Sequence, residues 1–472
     1  MSYSAVIPEQ EVPVNKSFRY LTLITLVASL GGFLFGFDMA VISGVLPLVQ
    51  KQFALTAAQE GWFVSSALLG CMAGVAFSGE LADRHGRKKM LYLSAILFLL
   101  SALGCAVLPS LSWIIAARFM GGVGIGVASN VVPLYISEIA PARHRGRLVT
   151  YYQLALTFGI LIAYLTNAML LHYSLKYQGT GASFLPVFLT SEVWRSMFAV
   201  GVIPALLFLI GLFLVPESPR WLIQQGRGVE GDAILARLNT RQEAIQHTAT
   251  PVQAGAAPEG SFYKELFSPG MRKALLIGIL LPLFSQFSGI NAIIYYGPTI
   301  LSNAGASLSN SLISQVIFGV ANMLFTLIAI WKVDSLGRRT LYLIGTAGAT
   351  IALFLTGICF YTGATTGMVV LVCVMMFLAC FAFSIGPLKF VVAGEIFPGR
   401  IRGRAMAISI MTMWVADTIV GQLTPILLKQ IGTGATFWFF AGCCLVAFGV
   451  VWKLLPETKG KSLEQIEHTW QH

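Results

Sequence analysis

The chain has 472 residues, 56% apolar and only 11% charged, where an ordinary soluble domain carries about 25% charged residues. Its mean hydropathy is +0.77. A water-soluble globule of this size would have too little charge to cover its surface, and the same figures exclude a disordered or fibrous chain. What remains is an all-α, polytopic membrane protein. The net charge of +11 reads as membrane topology rather than affinity for nucleic acid.

In chain order, residues 1–19 form a polar tail with Glu9, Glu11, Lys16 and Arg19 that runs directly into an apolar stretch, unlike a cleavable leader. Apolar runs then fall at 20–43, 62–82, 90–108, 112–135, 148–172 and 196–215. After a polar insertion they resume at 274–297, 311–331, 340–361, 368–393, 405–428 and 434–455. A bilayer crossing takes about 20 residues. Backbone groups must be satisfied internally in lipid, so each run is predicted to be a transmembrane helix. The result is twelve helices in two bundles of six, 20–216 and 274–455, joined by an insertion at 217–273 and followed by a tail at 456–472. Within the insertion, Arg227–Gln246 is helix-forming, with Ile234, Leu235 and Leu238 on one face, and Thr248–Gly260 has linker composition.

All but six of the 31 lysines and arginines fall on one side of the predicted membrane. The exceptions are Lys51, Lys176, Arg195 and Lys429 opposite, and Arg118 and Lys389 within spans. The positive-inside rule makes the basic side cytoplasmic, with both termini and the insertion there. The seven cysteines sit inside apolar runs without a CxxC, which suits packing rather than metal ligation.

Similar strings recur half a chain apart. Asp83-Arg84-His85-Gly86-Arg87-Lys88 matches Asp334-Ser335-Leu336-Gly337-Arg338-Arg339, and Glu138-Ile-Ala-Pro-Ala-Arg143-His-Arg145-Gly146-Arg147 matches Glu395-Ile-Phe-Pro-Gly-Arg400-Ile-Arg402-Gly403-Arg404. Pro216-Glu217-Ser218-Pro219-Arg220 and Pro456-Glu457-Thr458-Lys459-Gly460 close the two sets. Such a duplication with parallel orientation suits two bundles that rock about a midplane site. Asp83, Arg87, Glu138, Arg145, Asp334, Arg338, Glu395 and Arg402 are expected to pair in a gate while the cytoplasmic side is closed.

These strings are recognisable. Gly79-x-Leu81-Ala82-Asp83-Arg84-x-Gly86-Arg87-Lys88-Lys89 resembles the signature loop of the major facilitator superfamily. Pro216-Glu217-Ser218-Pro219-Arg220-Trp221-Leu222, Pro456-Glu457-Thr458-Lys459-Gly460, Gln286-Phe-Ser-Gly289-Ile-Asn291 with Tyr295-Tyr296, and Gly36-Phe-Asp38 resemble its sugar porter family, above all bacterial proton-coupled xylose, arabinose and galactose symporters. The resemblance runs from about Leu21 to Glu467. It implies the major facilitator fold, uptake of a monosaccharide with a proton, and a bacterial inner membrane.

Four charged residues lie away from span ends: Asp38, Arg118, Lys389 and Asp417. Each costs about 2.5–3.5 kcal/mol at a helix centre, so pairing or function must retain it. Asp38 and Arg118 are both expected in the outer half of the membrane. Alternation between solvent and contact with Arg118 would let Asp38 take up and release a proton. The resemblance supports this, because proton-coupled sugar porters have an Asp here and passive animal facilitators typically an Asn. Gly121-Gly122-Val-Gly124-Ile-Gly126 follows Arg118 inside a span with no preceding strand, so close helix packing explains it better than nucleotide binding. No GxxxxGK[ST] is present to suggest ATP-driven pumping.

A sugar's hydroxyls are met by amides that both donate and accept, and its C–H faces by aromatic rings. Gln153, Gln286, Asn291 and Asn322 are amides within spans, and the resemblance adds Phe35, Tyr295 and Trp414 to the substrate set. Ser285, Ser288, Gly289, Gly297 and Pro298 suit a broken helix over a site. The chain departs from the family's pattern in three places. Ser285-Gln286 stands for two glutamines, Gly386-Pro387-Leu388-Lys389-Phe390 for a Gly-Pro-x-x-Trp, and Asp417 for an amide. Complementary charge predicts that Lys389 and Asp417 pair across spans ten and eleven to shape the site, the alternative being that Lys389 meets an acidic sugar.

The expectation is thus a proton-coupled monosaccharide symporter working by alternating access, functional as a monomer, with the lipid bilayer as its surroundings. No cofactor, metal or nucleic-acid partner is expected, and the proton is the coupling ion. A passive facilitator, a transporter of a cyclitol such as inositol or of a sugar acid, and a membrane sugar sensor are the alternatives. An enzyme is not expected, because the six histidines lie in loops, tails or span ends without a nucleophile–base constellation.

Overall fold

A computed structural model describes residues 14–141, 145–176, 192–238, 266–363, 367–397 and 402–457. Among them, twelve helices are long and apolar enough to cross a membrane. The first six spans are Arg19–Phe53, Ala57–His85, Arg87–Val107, Leu111–Ile139, Thr150–Lys176 and Val193–Leu214. Spans seven to twelve are Met271–Asn303, Leu308–Ile328, Arg338–Thr362, Val369–Ile396, Ala405–Gln430 and Gly432–Leu454. Most overrun the predicted apolar runs by several residues. Span two has 29 residues, or about 44 Å of helix at 1.5 Å per residue. That crosses the headgroup zones as well as the hydrocarbon, so its polar ends are helical too.

Local chemistry sets several starts. Thr56 and Gln59 form a reciprocal capping box at span two, and Ser307 caps span eight through the Asn310 N–H. Along span six, Ile203, Leu207, Ile210, Phe213 and Leu214 are each more than half exposed. In a membrane-spanning chain such an apolar face suits contact with lipid.

Inside the first bundle, glycines let backbones touch. A methyl group on Gly122 would stand 2.8 Å from the carbonyl carbon of Ala67, and one on Gly126 would stand 2.8 Å from the Val75 nitrogen. Gly70 and Gly74 on span two meet span four reciprocally, at Phe119 and Val123. The glycines after Arg118 therefore serve close helix packing. Gly36 and Gly159 do the same for spans one and five.

The two bundles meet along span one with seven, two with eleven, and five with eight. Direct hydrogen bonds between them include Ser65 Oγ to Gln422 Oε1 at 2.8 Å, Gln422 Nε2 to the Ala58 carbonyl at 3.0 Å, and Tyr164 OH to the Ile294 carbonyl at 3.4 Å. All three lie toward the end of the molecule opposite the basic strings.

Two spans are interrupted. Span seven ends its first helix at Phe287 and restarts at Ile290, with Gly289 at φ +84° between them. An L side chain is disfavoured there, and its Cβ would also fall 2.7 Å from the Phe440 ring. Span ten opens into a π-turn at Phe381–Ile385 just before Gly386-Pro387. In the polar insertion, two short helices, Pro219–Gln224 and Gly228–Arg237, are present. Leu235 and Leu238 are buried and Ile234 half-buried, as the predicted face requires. The rest of the expected helix to Gln246, and the linker Thr248–Gly260, lie outside the described residues.

Candidate functional site

The break in span seven carries the central cluster. Asn291, one residue into the restarted helix, donates through Nδ2 to Gln286 Oε1 at 3.0 Å and to Asp417 Oδ1 at 2.7 Å. One turn further on, Tyr295 donates its hydroxyl to Asp417 Oδ2 at 3.2 Å. All four side chains are buried. On span eleven Trp414 lies one turn before Asp417, and its ring meets Phe35 of span one at 5.5 Å between centroids. That aromatic contact joins the two bundles. The Trp414 Nε1–H is buried without an acceptor among the described residues. Gln153 is exposed and Asn322 half-buried, on spans five and eight, which pack together. Among the described residues no hydrogen bond links either amide to the central cluster.

Lys389, placed by the helix after the π-turn, is buried and donates to Ser285 Oγ at 3.0 Å. Its charge and that of Asp417 attract through space. Among the described residues no ion pair within 4.0 Å joins them. Both groups are tied to span seven, Lys389 through Ser285 and Asp417 through Asn291 and Tyr295.

Asp38 and Arg118 face each other at 4.0 Å, Oδ1 to Nη1. Arg118 is held by other contacts: Nε donates to the Phe63 carbonyl at 3.2 Å, and the guanidinium lies over the rings of Phe63 and Phe198 at 5.5 and 5.7 Å. Its Nη1 has no hydrogen-bond partner among the described residues. The carboxylate therefore stands at the edge of Arg118's reach, where a small rearrangement makes or breaks the contact. Asp38, Arg118 and Tyr295 line one cavity of about 10 Å³, room for about one water molecule. Through Tyr295 that cavity adjoins the Asp417 cluster.

At the basic end the charged strings pair inside each bundle. Arg87 grips Glu138 through Nε and Nη2, the latter at 2.9 Å, and reaches Asp83 at 3.0 Å. In the second bundle Arg338 Nη2 meets Glu395 at 3.1 Å. These pairs lie within each bundle and coexist with hydrogen bonds between the bundles at the opposite end. Asp83 near the end of span two and Arg87 at the start of span three face each other across the turn at Gly86, and Arg87 and Glu138 sit on neighbouring helices, so each finds its partner within its own bundle. Arg145, Asp334 and Arg402 have side chains outside the described residues.

The whole chain was then compared with known proteins. Residues 24–470 match the family described as sugar (and other) transporter. The chain belongs to this family. It is 39% identical to the arabinose-proton symporter of Bacillus subtilis, over 98% of each chain. It is 37% identical to the D-xylose-proton symporter of Escherichia coli, over 96% of each. The xylose transporter of E. coli in an inward open conformation superposes with a TM-score of 0.81 at 35% identity, covering 95% of this chain and 100% of that one. The protein is therefore a sugar porter of the major facilitator superfamily, a multi-pass transporter and not an enzyme.

Two functional residues of this sugar porter escaped the sequence reading. Glu217 accepts from the backbone N–H groups of Arg87 and Lys88, both at 3.0 Å, and so caps the start of span three. Glu457 does the same for Arg338 and Arg339, at 2.9 and 3.1 Å. A helix N-terminus has unpaired N–H groups that a carboxylate satisfies. Gly86, at φ +98°, leaves the space: a Cβ there would run into the Glu217 carboxylate. Ser218 donates to Glu138 and Trp221 Nε1 to the Asp83 carbonyl, so the short helix after span six is tied to the same cluster. The signal was present in the paired Pro-Glu-Ser and Pro-Glu-Thr strings, whose acidic residue recurs in both halves.

Proposed function

We propose that this sugar porter imports a monosaccharide together with a proton by alternating access. The observation that carries the reading is the shared cavity. Asp38, Arg118 and Tyr295 all line it, and Tyr295 belongs to the buried amide and carboxylate cluster suited to a polyol. A proton on Asp38 would weaken its hold on Arg118. Sugar in the cluster would move Tyr295, which is in the restarted half of span seven. Each event alters the wall of the same small space, so each biases the tilt of the bundles. The activities of the relatives, arabinose–proton and xylose–proton symport, support the same assignment.

Phe35, Gln153, Gln286, Asn291, Tyr295, Asn322 and Trp414 are the proposed sugar contacts. Gln153 and Asn322 would join the cluster when spans five and eight close on the sugar. The basic end is the cytoplasmic one, in a bacterial inner membrane, with both termini inside and the 217–273 insertion forming a cytoplasmic linker. In this reading the described state faces inward, its bundles hydrogen-bonded at the outer end. The intra-bundle pairs of Asp83, Arg87, Glu138, Arg338 and Glu395, with Arg145, Asp334 and Arg402, keep each bundle's inner end stiff as it tilts. One chain contains every proposed element, so the monomer is the working unit.

The test uses purified protein in proteoliposomes, with radiolabelled D-xylose, L-arabinose, D-glucose and D-galactose, with and without an imposed pH gradient. Uptake of at least one sugar above its equilibrium level, only when the outside is acidic, is expected. Equilibration alone at every gradient would contradict proton coupling.

A further inference from the structure

Asp417 does more than fill a space among the proposed sugar contacts. A carboxylate accepts and cannot donate, whereas an amide can turn either end toward a neighbour. Both oxygens of Asp417 are engaged by donors, Oδ1 by Asn291 Nδ2 and Oδ2 by the Tyr295 hydroxyl. That fixes the Asn291 amide with its NH₂ toward Asp417. The same NH₂ supplies its second hydrogen to Gln286 Oε1, which in turn fixes Gln286. Two groups are left over with fixed characters: Asn291 Oδ1, an acceptor only, and Gln286 Nε2, a donor only. Neither has a hydrogen bond among the described residues, and neither is sealed from open space.

We propose that Asp417 is a positioning residue that sets the hydrogen-bond polarity of the substrate site. One substrate hydroxyl must donate to Asn291 and another must accept from Gln286. The ligand class is a polyol with hydroxyls at two such positions, read by direction as well as by place. An amide at position 417 would allow the Asn291–Gln286 pair to reverse, leaving both characters open. The inference rests on the sugar-site reading above and deepens it.

Fluorine tests direction, because a monodeoxyfluoro sugar keeps a weak acceptor at one position and has no donor there. The probes are D-xylose and D-glucose with their monodeoxy and monodeoxyfluoro analogues, read as competition for binding to the purified full-length protein. In the unaltered protein one ring position should lose about tenfold or more from both deoxy and fluoro analogues, the fluoro bringing no recovery. A second position should tolerate fluorine several-fold better than hydrogen. In Asp417→Asn the first position should regain several-fold for the fluoro analogue over the deoxy one. If Asp417→Asn does not fold, Asp417→Ala carries the same comparison.

Equal fluoro-to-deoxy ratios in the unaltered protein and the Asp417 variant would overturn the polarity assignment while leaving sugar binding intact. Absence of binding by every parent sugar would overturn the sugar-site reading itself, and this inference with it.

Discussion

Gly122→Ala probes how tightly Arg118, beside the proposed proton carrier Asp38, depends on backbone packing. The added methyl would stand 2.8 Å from the Ala67 carbonyl carbon and closer still to its oxygen. Ordinary contact begins near 3.4 Å, so spans two and four must part by more than half an ångström. The obstacle is backbone, and no side-chain rotation relieves it. Overpacking of this kind costs about 1–3 kcal/mol. For a cooperative unit the size of one bundle that is roughly 2–12 °C in thermal midpoint, at about 2–4 °C per kcal/mol. Arg118 lies one turn earlier on span four and crosses the same interface to reach the Phe63 carbonyl at 3.2 Å. Separation stretches that bond, so coupled uptake should fall along with stability. The assay is thermal unfolding of the purified protein, with Gly442→Ala as control, since a Cβ at Gly442 meets nothing within 4 Å. Equal midpoints for the two variants would refute the close-packing argument.

Three other substitutions follow from the contacts. Glu217→Ala should lower stability by about 1–2 kcal/mol, the loss of a helix cap with partly buried charge, while Glu217→Gln keeps an acceptor and loses less; equal midpoints for both would argue against capping. Trp414→Phe should lower thermal stability by about 1–3 kcal/mol through the cavity left by its second ring, and, since the Nε1–H has no acceptor among the described residues, raise KM for sugar about three- to tenfold if that N–H meets a hydroxyl in the bound state. The double exchange Lys389→Asp with Asp417→Lys should not restore uptake lost in either single variant, because Asn291 and Tyr295 need an acceptor at 417; restoration would reinstate a direct pair.

Much of the fold was legible because it follows from one constraint. Backbone in lipid must be helical, so apolar runs gave the twelve spans, and residues such as Gly122 and Gly126 announced where helices touch. Their ends were less legible, because helices continue through the headgroup zones where the hydropathy signal fades. Asp38 and Arg118 stood out as charges in apolar surroundings, and the structure places them 4.0 Å apart. The roles of Glu217 and Glu457 were hidden because each acts on a helix start more than a hundred residues away, and capping leaves no periodic trace. The neutral partners of Asp417 were hidden for a related reason. Opposite charge is visible in a sequence, but the neutral Asn291 and Tyr295 that donate to the carboxylate are identified as its partners only by the fold. Gln153 and Asn322 were chosen as amides in apolar spans, and among the described residues neither is hydrogen-bonded to the cluster.

The claim on which the account turns is that Asp38 carries the transported proton. It is tested most directly by placing Asp38→Asn in proteoliposomes beside the unaltered protein, and measuring both sugar counterflow and accumulation under an inward-directed proton gradient. The account predicts that counterflow persists in the variant while accumulation falls to the equilibrium level. Accumulation by Asp38→Asn at the level of the unaltered protein would contradict it.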